Sequence, residues 1–176
     1  MKKTKSKIKP ILALVFICIT FSLTSCLGLM VQGVAQNKFT ENKGAIPPDF
    51  MKEESTLICV LQERNSYDKY LKKHMQAKYH GPIKFVLKSK LFDEGKISSK
   101  YKDTVKYRFI FNYGLGTQHY SDTKYGPGTG GASFSTKLFY VLDRKDGKKY
   151  NSPFSSSFFA KLIKAYAINL EKKRLE

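Results

Sequence analysis

The stretch Thr56-Leu57-Ile58-Cys59-Val60-Leu61 is a short, continuous apolar run rich in β-branched residues. That composition fits a strand covered on both faces, which belongs in the interior of its sheet. Downstream, Asn65 followed three places on by Asp68 resembles a capping pattern. Tyr67, Tyr70, Leu71 and Met75 then recur at helical spacing, with Lys69, Lys72 and Lys73 turned outward. Gly81-Pro82 stops that helix, and Ile83-Lys84-Phe85-Val86-Leu87 reads as a second strand.

The polar Asp93-Glu94-Gly95-Lys96 reads as a turn, and the clearest alternation of the chain follows it. Val105, Tyr107, Phe109, Phe111 and Tyr113 fall on one face, with Lys106, Arg108 and Asn112 on the other, as a strand with one buried side requires. Ile110 breaks the polar row, so part of the second face is expected to be covered too. Beyond a Gly-rich connection, Phe134 to Leu142 forms another strand, with Phe134, Leu138, Tyr140 and Leu142 on one side and Phe139 and Val141 on the other. Asp146-Gly147 ends it in a tight turn. A serine at 155, 156 or 157 is expected to cap a last helix with the stripe Phe159, Ile163, Tyr166 and Leu170 and the basic end Lys172, Lys173, Arg174. The order β-α-β-β-β-α predicts one small α+β domain over 47–176, a sheet of about four strands with two packed helices. In element order alone it resembles small α/β accessory domains of envelope lipoproteins, with no shared motif to imply an activity.

Working upstream, Ile46-Pro47-Pro48-Asp49-Phe50 stiffens the entrance to the domain. Residues 26–46 show no sustained period and predict a tether, although Leu27, Leu29, Met30 and Val31 offer an alternative in which this segment lies along a membrane surface. Residues 1–25 read as an export signal: Lys2, Lys3, Lys5, Lys7 and Lys9 without an acid, then a nearly uninterrupted apolar run from Ile11 to Phe21. A spanning helix needs about 20 apolar residues, more than this run supplies. Its end, Leu23-Thr24-Ser25-Cys26, resembles the lipobox of bacterial lipoprotein precursors. The resemblance implies cleavage before Cys26, a diacylglycerol on its sulfur and usually an acyl group on its amine. It also implies the outer membrane rather than the inner, because Leu27 stands where an inner-membrane protein of that family often carries Asp.

The leader holds five lysines and no acid, so the remainder keeps the net charge of +18 less those five. Lysines interleaved with tyrosines suit nucleic acid, but an exported, anchored chain meets anionic lipid headgroups or envelope proteins instead, so no nucleic-acid partner is expected. A chain-wide enrichment in Lys, Ile, Asn, Tyr and Phe explains the same charge without a partner. Of the three cysteines, Cys18 leaves with the signal and Cys26 is acylated, leaving Cys59 as core packing without a disulfide.

The chemistry-bearing patterns are sparse. Gly126-Pro127-Gly128-Thr129-Gly130-Gly131 satisfies G-x-G-x-x-G, yet a strand follows it where a dinucleotide site needs a helix, so a loop is the better reading. His74, His80 and His119 lack metal-ligand spacing, and Asp68, Asp93, Asp103, Asp122 and Asp146 sit at caps or turns. Asp143 is expected to pair with its neighbour Arg144. No catalytic residue, cofactor site or metal site is assigned. The expected function is that of a lipid-anchored, non-catalytic envelope module binding through a basic, tyrosine-rich surface. Two alternatives stay open: an enzyme on an envelope polymer using the loop at 114–131, with His119, Tyr120 and Asp122 as its acid-base cluster, or a carrier of an apolar molecule in a cavity lined by Phe109, Phe111 and Phe159.

Overall fold

The computed structural model describes residues 28–120 and 132–176. Along the chain come helix α1 (28–38), a 3-10 turn (Glu41–Lys43), strand β1 (Leu57–Leu61), helix α2 (Asn65–Lys78), strand β2 (Ile83–Leu87) and one turn of helix α3 (Lys88–Leu91). The short strands β3 (Phe92–Asp93) and β4 (Lys96–Ile97), a second 3-10 turn (Ser99–Tyr101), the long strands β5 (Phe109–Tyr120) and β6 (Ala132–Asp143), strand β7 (Lys149–Asn151) and helix α4 (Phe159–Arg174) follow. Five strands make one sheet in the order β2-β1-β5-β6-β7, and β3 with β4 forms a separate hairpin. The fold is α+β in one small domain, as the element order implies. Its main sheet gains a fifth strand in β7, which is three residues long and too short to show a period.

β1 runs parallel to both β2 and β5, and all five of its residues are buried. Clusters packed on both faces of this interior strand explain the double burial of Leu57 to Leu61. Because side chains alternate across the sheet, Leu57, Cys59 and Leu61 enter the main core with Phe109, Phe111, Tyr113, Phe139 and Val141. Ile58 and Val60 enter a second cluster with Val86, Leu91, Tyr101, Tyr107 and Ile110. Helices α1, α2 and α4 cover the first face, and the excursion over residues 88–107 covers the second. The odd apolar residue Ile110 therefore marks a covered second face, as its sequence position indicates.

The expected alternation holds only from Phe109 onward. The Asp103 carboxylate accepts the amides of Val105 and Lys106 at 2.9 and 2.8 Å, which bends 103–106 into a turn. Val105 is consequently 66% exposed, and Tyr107 joins the second cluster, edge-on to Tyr101 at 5.4 Å. Arg108 is buried, not wet: its Nη2 donates to Asp143 Oδ2 at 2.8 Å. The expected Asp143–Arg144 pair is thereby replaced, and Arg144 instead donates to the carbonyls of Tyr101, Tyr107 and Lys102. Burial alone would raise the Asp143 carboxyl, but the Arg108 bond and the Lys145 amide bring it below the usual carboxylate range.

The tether reading fails over 28–46. These residues include α1, and Ala35, Phe39, Ala45 and Ile46 are inside the main core. Phe39 packs 4.8 Å from Tyr166, whose hydroxyl donates to the Ala45 carbonyl. In α4, Phe159, Ile163, Tyr166 and Leu170 are all buried as one stripe. Neither expected helix cap forms as read. No side chain caps α2 or α4 at its cap residue; Asp68 reaches back to the amides of Gln62 and Arg64, and the Ser156 hydroxyl accepts the amide of Phe158. Tyr70, expected on the buried stripe of α2, is 41% exposed.

Candidate ligand site at the carboxyl ends of the strands

After β1 the chain leaves toward α2 on one face of the sheet, and after β2 it leaves toward α3 on the other. Connections that part to opposite faces leave a crevice at the carboxyl ends of parallel strands, the usual place for ligands in such sheets. Here the crevice is a hollow of about 610 Å³ lined by residues including Gln62, Arg64, Lys88, Asn112, Gly114 and Tyr140.

The hollow is built from the end of β1 outward. Asp68 holds the turn at 62–64 by accepting the Gln62 and Arg64 amides at 3.0 and 3.2 Å. Glu63 takes the left-handed conformation, φ 59°, a costly one for a residue with a side chain. Its carboxylate accepts the Ser89 hydroxyl of α3 at 2.6 Å, so the two diverging connections are tied across the crevice.

On the floor, Gln62 Nε2 donates to Asn112 Oδ1 at 2.6 Å and to the Tyr113 carbonyl at 3.1 Å. Asn112 Nδ2 donates onward to the Tyr140 hydroxyl at 2.9 Å. Asn112 is buried and its oxygen also accepts the Tyr113 amide, so its orientation is determined. Burial pushes the Tyr140 hydroxyl up, partly offset by the Asn112 bond, and it stays a protonated donor. The Gln62 side-chain oxygen meets no donor among the described residues. Arg64 and Lys88 line the same hollow, exposed and without a carboxylate partner among the described residues. The arrangement attracts an anion and offers it one oriented donor, the Tyr140 hydroxyl.

The residues singled out from the sequence lie elsewhere. His119 falls in β5 opposite Ser133, while Asp122 and the glycines of 126–131 lie outside the described residues, as do residues 1–25 and Cys26. His74 stacks on Tyr70 with ring centroids 6.3 Å apart, and His80 Nδ1 lies 3.1 Å from Glu171 Oε1. Among the described residues no three His, Cys, Asp or Glu side chains converge as metal ligands. Burial pushes the Cys59 thiol up and keeps it an inert packing group. Phe109, Phe111 and Phe159 sit inside the aromatic core; Phe111 meets Tyr166 edge-on at 5.0 Å and Phe159 meets Phe139 at 5.3 Å.

The tyrosine-rich surface needs correction. Tyr79, Tyr101, Tyr107, Tyr113, Tyr150 and Tyr166 are buried, and lysines lie over several rings from outside, Lys84 over Tyr101 at 5.4 Å and Lys148 over Tyr150 at 4.9 Å. Among the described residues the surface is basic and most tyrosines serve the core, Tyr70 being an exposed exception. Sequence reasoning missed Gln62, Arg64, Lys88, Asn112 and Tyr140; the one usable signal was that Gln62 and Arg64 directly follow a strand read as buried on both faces. No helix among the described residues is long and apolar enough to cross a membrane. Comparison with family models, curated proteins and solved structures found no match.

Proposed function

We propose that the chain is a lipid-anchored protein of the cell envelope that acts by binding, seating an anionic group of its partner in the hollow beyond β1. The anchor half rests on Leu23-Thr24-Ser25-Cys26 and the basic, apolar leader before it. The binding half rests on one observation: two cations without carboxylate partners among the described residues, Arg64 and Lys88, share a hollow with the hydroxyl of Tyr140. The cations supply attraction, and the Tyr140 hydroxyl, which accepts from Asn112 and so keeps its own proton to donate, supplies orientation. Modification of an envelope polymer is favoured less: Gly114 borders the hollow, but the nearby carboxylates are engaged, Glu63 by the Ser89 hydroxyl and Asp68 by the Gln62 and Arg64 amides. Carriage of an apolar molecule needs space where the rings around Phe111 are packed.

Labelled palmitate should enter the wild-type chain and be absent from a Cys26→Ser chain; equal labelling refutes the anchor. For the hollow, the side-chain amide resonances of Gln62 and Asn112 in the full-length protein should shift when glucose 6-phosphate is added and stay still with glucose. Those shifts should disappear in an Arg64→Ala, Lys88→Ala double variant. Equal responses to the two sugars would remove the anionic ligand from the reading.

A further inference from the structure

Gly28 is buried, and a Cβ placed on it would lie 3.1 Å from Cε and 3.8 Å from Nζ of Lys161 on α4. Cys26 is two residues earlier, and two residues extend the chain by about 7 Å at most. An acyl group on Cys26 would therefore enter its membrane close to the amino-terminal end of α4, not at the far end of a tether.

The surface at that point is basic. α2 packs along α4, and Lys73 and Lys78 of the first helix join Lys161 and Lys164 of the second around His74. Burial, and then the charge of these four lysines, holds the His74 imidazole below its ordinary proton affinity. None of the four has an ion-pair partner among the described residues. The surface is also unusually apolar. Leu29, Met30, Tyr70 and Phe158 are four of the seven large apolar side chains exposed among the described residues. Tyr70, Phe158 and Lys161 line one shallow groove of about 360 Å³, and Leu29 and Met30 directly follow Gly28.

We infer that this face, formed by α2, the first turns of α4 and the start of α1, lies against an anionic bilayer, with Lys73, Lys78, Lys161 and Lys164 at the headgroups and Leu29, Met30, Tyr70 and Phe158 at the acyl boundary. The inference rests on the lipid-anchor reading for its position. A bilayer is the occupant because the anchored end of the chain arrives at this face, and because an acyl chain combined with a polybasic patch is a pairing that holds a protein flat on anionic lipid. The excursion at 88–107 covers the opposite face of the sheet and stays in water.

Lysine footprinting of the acylated protein tests the orientation. The protein is placed in nanodiscs of phosphatidylcholine with or without about one-third phosphatidylglycerol, as a surface charge of that order attracts basic residues. With phosphatidylglycerol, Lys73, Lys161 and Lys164 should react with an amine-acylating reagent at least five-fold more slowly than in phosphatidylcholine alone, while Lys96 and Lys100 should react equally in both. Uniform reactivity overturns the inference, and so does protection of Lys96 and Lys100 instead. Protection that appears only when a second protein is added assigns the face to a protein partner and also overturns it. A second arm uses the Cys26→Ser chain without residues 1–25, whose own lysines and apolar run would bind lipid; it should sediment with phosphatidylglycerol vesicles and lose that binding when Lys73, Lys161 and Lys164 are changed to Gln. Success there with no palmitate in the wild type refutes the anchor alone; failure there with palmitate present refutes the docking face alone.

Discussion

Arg108 and Asp143 put two formal charges in the interior, with side-chain exposures of 6% and 4%. The Asp143 oxygens accept from Arg108 Nε and Nη2, and Asp143 Oδ1 also takes the Lys145 amide, so the pair is nearly saturated. Removing one partner leaves the other charge buried and unpaired, which costs about 3–5 kcal/mol. Asp143→Ala should therefore lower the unfolding free energy by that order in a urea titration, whereas Asp49→Ala, a partner of Arg108 at 3.9 Å and largely exposed, should shift it by under about 1 kcal/mol. Glu171 offers a test by pH. The Arg174 guanidinium, helped by the His80 amide and ring, holds its carboxyl down to about 2. An unfolded Glu takes its proton near pH 4.3. The stability due to Glu171 is thus fully present above about pH 4.3 and lost as pH falls toward 2. A Glu171→Gln chain should be less stable at neutral pH and should lose less on acidification; parallel stability curves for the two chains across that window would show that Glu171 contributes nothing.

At the scale of elements, what was legible in the sequence divides by the kind of signal each element carries. β1 and β2 are short apolar runs and α2 and α4 carry apolar stripes at helical spacing, local signals from which each element can be read without knowing its partners. α1 has no such stripe: Ala35 and Phe39 are buried through α4 and Tyr166, partners more than a hundred residues away, and the glycines around them resemble linker composition. Arg108 reads as a wet strand residue because its partner is 35 positions further on. The candidate hollow was almost entirely illegible for the same reason. Gln62, Lys88, Asn112 and Tyr140 come from four segments, and the pairing of β1 with β5 and of β5 with β6, with the parting connections after β1 and β2, brings them together. If α1 and its continuation are structural, Phe39→Ala, at a position with no exposure and three aromatic neighbours, should cost about 3–5 kcal/mol. A tether residue would tolerate the change, so an unaltered melting temperature would restore the linker reading.

Across the whole molecule, charge is the dominant imbalance. The sequence has 32 lysines and arginines against 14 acidic residues, and even without residues 1–25 the excess is large. Several of the acids are engaged locally, Glu171 with Arg174, Glu41 with Lys173 and Asp143 with Arg108, which leaves lysines such as those around His74 facing one another through water. Exposed ion pairs contribute about 0–1 kcal/mol each, while mutual repulsion among many like charges acts on the compact state as a whole. Salt weakens both, since the screening length falls from about 30 Å at 0.01 M to about 3 Å at 1 M. With this excess, the repulsion removed should outweigh the pairs lost. The melting temperature of the full-length protein should accordingly rise by a few degrees as sodium chloride is raised from roughly 0.02 to 0.5 M. The rise should be smaller in a chain whose Lys73, Lys161 and Lys164 are changed to Gln, because part of the positive field is then already gone. A fall with added salt would mean that the ion pairs outweigh the repulsion, and the basic face would then be a set of balanced surface charges with no stored attraction for an anionic bilayer.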